Sequence, residues 1–275
     1  MTLDSRNKLI LSQFVVAVLF IIVTAVVFVL AILNNSLVFP ESSQRLFSLP
    51  ALPLLAPNMF AALLSAIILV LYSAVMLGIS LVNFEKTRSL EIIYFVCFSL
   101  GCLFEGIRIW LPVFNFWEDN SALYVFVGHG LFFGRALAIV NLLALSLLSL
   151  ELENNQNIEM NLLVVVTLAA LLARLIPIES LVIPSSCSIR FGYEKMFLSM
   201  SVITLLVGFL SMICQSENQG SGEYTPVAIG FLLLSFGYLS LTQADCFFVF
   251  GLGTILLTIG SIIFLVNLHR FHVWK

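Results

Sequence analysis

Apolar residues along this chain gather into long runs parted by short polar stretches, and each run reads as one membrane crossing. A spanning helix needs about 20 consecutive apolar residues. Eight runs are predicted as transmembrane helices: Ile10–Leu33, Met59–Val82, Ile92–Val113, Ala122–Leu150, Asn161–Ile176, Met196–Cys214, Pro226–Leu241 and Phe247–Leu268. The expected fold is therefore all-α, a polytopic membrane helix bundle forming a single transmembrane domain over residues 1–275, with no soluble domain. The first run follows Arg6 and Lys8, as the apolar core of a signal peptide would. It is longer than the usual core of about 7–15 residues and no A-x-A site follows it, so an uncleaved first span is expected. The fifth run is short, ends in Arg174 and Pro177, and is expected to continue irregularly towards Pro184.

The loop from Asn34 to Asn58 contains Pro40, Pro50, Pro53 and Pro57 among apolar residues. Prolines exclude a regular helix there, so the loop is expected to hug the membrane surface as a connector, with a lid over the bundle as the alternative.

Composition agrees with the runs. With 61% hydrophobic and 10% charged residues, against about 45–50% and about 25% in soluble domains, a water-soluble globule is excluded. So is a built-in kinase, cyclase, nuclease or ATPase unit of ordinary size. The net charge of −3 is spread over short loops without a basic patch, which removes nucleic acid as a partner. Placing the N-terminus inside puts Arg6, Lys8, Lys86, Arg88, Arg270 and Lys275 inside, against Arg45, Arg190 and Lys195 outside. By the positive-inside rule this favours two cytoplasmic termini, in what reads as a bacterial cytoplasmic membrane. The five cysteines form no metal-binding spacing. Four are expected to pack as small hydrophobes, and Cys187, in an outer loop, to be exposed.

Against this background Glu105, Arg108, His129, Arg135 and Arg174 stand out, because a charge at the centre of a membrane helix costs about 2.5–3.5 kcal/mol on insertion scales. The third and fourth spans form a hairpin. At about 1.5 Å per residue, Glu105 lies roughly 21 Å above the inner face and His129 roughly 10 Å below the outer one, which is the same level in a core about 30 Å thick. Arg135 lies nearest the midplane and most needs an internal partner; Glu105 is the acid available to it. Arg108 is placed i,i+3 from Glu105 but two residues before Trp110, so it is expected to snorkel to the interface, and Arg174 likewise.

The fourth span also carries Gly130 and Gly134 in a GxxxG spacing, with Asn141 about 20° off the same stripe. A neighbouring helix is expected to pack there, with Asn141 bonding across to it. Gly128 and Arg135, seven apart, share an adjacent face.

One acid against as many as three arginines biases the outer half towards an anion, since arginine binds carboxylates and phosphates through two nitrogens. The expected role is binding a small or lipid-like anionic ligand for transport or sensing, with Glu105, His129, Arg135, Arg108, Arg174 and Asn141 around the pocket. Two alternatives stand beside it. One is a structural or assembly subunit whose buried charges form a packing ion pair, with His129 as a core histidine bonded to a carbonyl. The other is a membrane-embedded lipid-modifying enzyme using Glu105 and His129 as an acid/base couple, to which Ser99 contributes. Neither a metal nor any other cofactor is expected: the cluster offers too few ligands, and Lys8, Lys86, Lys195 and Lys275 all lie at span edges or in loops. Expected partners are the lipid bilayer, the anionic or lipid ligand, and a membrane or cytoplasmic protein.

Overall fold

The fold is taken from a computed structural model, which describes residues 3–37, 53–85, 89, 91–116, 121–148, 158–179, 186–218 and 225–273. Among them are eight helices long and apolar enough to cross a membrane, and almost no sheet. In chain order the helices are α1 (Leu3–Leu33), α2 (Met59–Asn83), α3 (Glu91–Leu103), α4 (Ile107–Phe114), α5 (Ser121–Leu148), α6 (Ile158–Leu175), α7 (Glu194–Asn218), α8 (Thr225–Thr242) and α9 (Phe247–Val273). The third span is α3 and α4 together. Most of the loop expected as a connector or lid, residues 38–52, lies outside the described residues, as do Lys86, Arg88 and Lys275.

The third span departs from a single regular helix. A 3-10 turn at Phe104–Gly106 joins α3 to α4, and α4 contains Pro112 and ends at Asn115, whose φ of 49° is left-handed. Proline inside a helix removes one donor and crowds the preceding turn. At Gly106 a Cβ would fall 2.5 Å from Phe20 and 2.9 Å from Val70, so α1 and α2 close in on this turn. The break therefore sits where Glu105 is presented.

Burial separates the centre of the bundle from its rim. In the third and fourth spans 83% and 72% of the most apolar window is buried, against 17% in α1 and 22% in α6 and in α7. The third span and α5 form the axis, and the other helices turn large apolar side chains such as Val16, Leu163 and Leu210 outward. A charged side chain on the axis cannot reach water by snorkelling.

Glycines set the closest approaches. On α5, a Cβ at Gly134 would collide with Phe104 Cβ, and a Cβ at Gly101 of α3 would fall 2.9 Å from Ala138 Cβ and from Gly134 O. Gly130 is looser, with Ile107 at 3.4 Å. The expected packing stripe is thus Gly134 with Gly101 opposite. A second tight pair, α8 and α9, is closed by Gly230, Gly237 and Gly260, each abutting backbone of the other helix.

Between α6 and α7 the chain folds inward. Ile178–Glu179 (β1) pairs antiparallel with Arg190–Phe191 (β2), and Gly128 of α5 lies against Ile178 and Ile189. Pro184, towards which the fifth span was expected to run on, lies outside the described residues. Cys187 is fully buried with a φ of 46°, so the exposed thiol expected at this position is not found. The reason is that residues 186–191 pack down onto α5 instead of standing clear of the bundle.

Candidate functional site

Glu105, at the 3-10 turn, and Arg135, on the α5 face next to the glycine stripe, meet as a two-pronged ion pair. Arg135 donates from Nε to Glu105 Oε1 at 2.7 Å and from Nη2 to Oε2 at 3.1 Å. Nη2 also donates to Ser188 Oγ at 3.0 Å and to Thr242 O at 3.3 Å, and the guanidinium lies 5.4 Å from the Phe191 ring centroid. All of these groups are buried.

Arg108 joins them. Nη1 donates to Glu105 Oε2 and to Leu241 O, both at 3.4 Å, while Nη2 donates to Ala62 O at 3.1 Å and Ser186 O at 2.6 Å. This overturns the expectation that Arg108 snorkels to the interface. Its helix is walled in by α2, α8 and the inturned residues 186–188, and backbone carbonyls replace water as acceptors. Leu241 and Thr242 close the last turn of α8, where carbonyls lack helical partners and the helix dipole is negative, so cations are favoured there.

Two donors in and beside the cluster have no acceptor among the described residues: Arg108 Nε and Tyr238 Oη, both buried. Tyr238 lies within electrostatic reach of Glu105, Arg108 and Arg135. With Arg135, Ser201, Thr242 and Gln243 it borders a void of only about 10 Å³, near the lower limit for one water molecule. The cluster is closed. Burial pushes the neighbouring Cys187 thiol up to about 11, against the opposing influence of Arg108.

The other expected residues stand apart. His129 accepts no role beside Glu105: its Nδ1 bonds Val125 O at 2.8 Å in its own helix. Together with Arg174 it lines a cleft of about 350 Å³ between α5 and α6. The expected acid/base couple is therefore not assembled, and Ser99 Oγ is likewise turned back to Phe95 O at 3.0 Å. Arg174 is exposed near the end of α6, as its place before Pro177 predicts. Asn141 does not bond across to a neighbour; its Nδ2 donates to Leu137 O at 2.7 Å within α5. A close stripe leaves no width for a side-chain amide to span, and the carbonyl one turn back is nearer.

Sequence reasoning missed Ser186, Ser188, Tyr238 and the carbonyls of Ala62, Leu241 and Thr242. Nothing local marks a backbone carbonyl as a ligand. The signal that could have helped is Tyr238, a polar tip in the middle of an apolar run. Among the described residues no group of three or more His, Cys, Asp and Glu side chains comes together. No protein-family model and no curated protein matches the chain.

Proposed function

We propose that this multi-pass membrane protein binds a small or lipid-borne anion at the Glu105–Arg108–Arg135 cluster, for transport or for ligand sensing. The observation that carries the reading is the imbalance of donors. Two arginines share one carboxylate, and Arg108 Nε and Tyr238 Oη are buried donors without acceptors among the described residues. An unpaired buried donor costs about 1–3 kcal/mol, and an entering carboxylate or phosphate supplies acceptors for both.

The void is too small for such an anion, so binding requires exchange. The incoming group displaces Glu105 from Arg135 or Arg108 and takes over its hydrogen bonds. Because the same two guanidinium groups hold Ser186 O and Ser188 Oγ, exchange loosens residues 186–188 and shifts them relative to α5. In a transporter that movement opens a path; in a sensor it is the signal passed to a partner protein. In this reading the membrane is the bacterial cytoplasmic membrane, with both termini on the cytoplasmic side.

The small void also favours a second reading, a packing role in which the cluster pins α2, the third span, α5, α8 and the 186–188 segment together. The test is a thermal-unfolding titration of the purified protein with phosphate and with small carboxylates, followed by uptake into sealed vesicles. The anion reading expects stabilisation by one of these anions that Tyr238→Phe weakens without loss of fold. Stabilisation by none of them, with Tyr238→Phe indistinguishable from the parent, leaves the packing role. Uptake separates a transporter from a sensor.

A further inference from the structure

The cleft that holds His129 and Arg174 lies outside the buried cluster, and its chemistry is different. We propose that it is a binding site for one anionic phospholipid, in the leaflet on the side of residues 186–191, with the lipid phosphate on Arg174 and an acyl chain between α5 and α6.

Its walls are Ala122, Phe126, His129 and Phe133 of α5 facing Ala170 and Arg174 of α6. Alanines on both helices leave a slot, and phenylalanines give it apolar sides. From Ala122 to Phe133 it runs about 16 Å along α5, at the rise of an α-helix. Its volume of about 350 Å³ falls within the usual range for small-molecule sites, about 300–1,000 Å³. A long narrow apolar slot fits a hydrocarbon chain.

Charge decides the headgroup. Arg174 is exposed, and among the described residues it forms no ion pair and no carboxylate lines the cleft. Arg174 lies 16 residues past the start of α6 and His129 19 residues before the end of α5. At the helical rise these are roughly 24 and 28 Å from the opposite ends of the two helices, so the groups stand at nearly one level. An arginine there presents a fork matched to phosphate oxygens. Since His129 Nδ1 is taken by Val125 O, Nε2 is the nitrogen left to bond a headgroup hydroxyl. A lipid bearing both a phosphate and a hydroxyl therefore satisfies both side chains.

The experiment measures lipid retained by the purified protein, by native mass spectrometry, after exchange in vesicles of equal parts phosphatidylglycerol and phosphatidylcholine. The parent is expected to retain phosphatidylglycerol about tenfold over phosphatidylcholine, because the choline cation of the latter offsets the phosphate charge that Arg174 pairs with. Arg174→Gln removes that preference, and Ala170→Phe, at a lipid-facing position that tolerates bulk, fills the slot and removes bound lipid of either kind. Inorganic phosphate at millimolar concentration does not displace the lipid. Equal retention of both lipids by the parent, a preference that survives Arg174→Gln, retention unchanged in Ala170→Phe, or displacement by inorganic phosphate each overturns the proposal. Glu105, Arg108 and Arg135 are untouched by these variants, so the outcome is separate from that of the buried cluster.

Discussion

Arg108 and Ser186, 78 residues apart in the chain, are joined by a hydrogen bond of 2.6 Å from guanidinium Nη2 to a backbone carbonyl in the middle of the bundle. Through that bond and the one from Arg135 to Ser188 Oγ, the loop segment is anchored by the same arginines that hold Glu105. A change at any member should reach the others.

Removing one partner of a buried ion pair leaves the other charge uncompensated, at about 3–5 kcal/mol. Arg135→Leu and Glu105→Leu should each lower unfolding stability in detergent by that order. Arg135→Lys should recover little, because a point charge cannot reproduce the fork on both carboxylate oxygens. The charge swap Glu105→Arg with Arg135→Glu should also fail to restore the parent, since Arg108 would then face an arginine one turn away. Full recovery in the swap would show that Arg108 is not coupled to the pair.

The glycines on α5 should not be equivalent. Gly134→Ala forces Phe104 to move, an overpacking cost of about 1–3 kcal/mol, whereas Gly130→Ala meets only the end of Ile107 at 3.4 Å. Gly237→Ala and Gly260→Ala should cost more than Gly134→Ala, because the obstructing atoms are backbone. Gly251→Ala, with nothing within 4 Å, is the neutral control. Thermal midpoints of the five variants, measured side by side, give the order.

Cys187 links stability to pH. Its thiol is raised from 9.0 to about 11 in the folded protein, chiefly by burial, so the folded state holds the proton more tightly than the unfolded chain. Stability from this group is complete below about pH 9 and is lost as pH rises towards about 11. Cys187→Ala should flatten that part of the stability profile. Thiol alkylation of Cys187 at neutral pH should be slow in the parent and faster in Arg108→Leu, where the segment loses an anchor. Equal alkylation rates would separate the segment from Arg108.

Arg6 closes the opposite end of the bundle. Its Nη2 donates to Phe84 O at 2.6 Å and to Glu85 O at 3.0 Å, just past the end of α2. Arg6→Leu should detach the start of α1, seen as faster proteolysis near the N-terminus, with the Glu105 cluster and its Cys187 alkylation rate unaffected.

Eight spans, the pairing of Glu105 with Arg135 and the close-packed face of α5 were legible in the sequence, for one physical reason. Bilayer thickness, helix rise and the cost of an unpaired charge are properties of residue type and spacing alone. The break at Phe104–Gly106, the burial of Arg108 and Cys187, and the cleft that His129 shares with Arg174 between α5 and α6 were not legible, although the outward reach of Arg174 was. Each depends on which neighbour fills the space beside a residue. Arg108 stays inside because Ala62, Ser186 and Leu241, distant in the chain, bring carbonyls to it, and backbone carbonyls carry no residue identity from which their arrival could be read. The sequence by itself determined that charge must be satisfied inside the membrane; only the tertiary structure decided which groups satisfy it, and that they close around it.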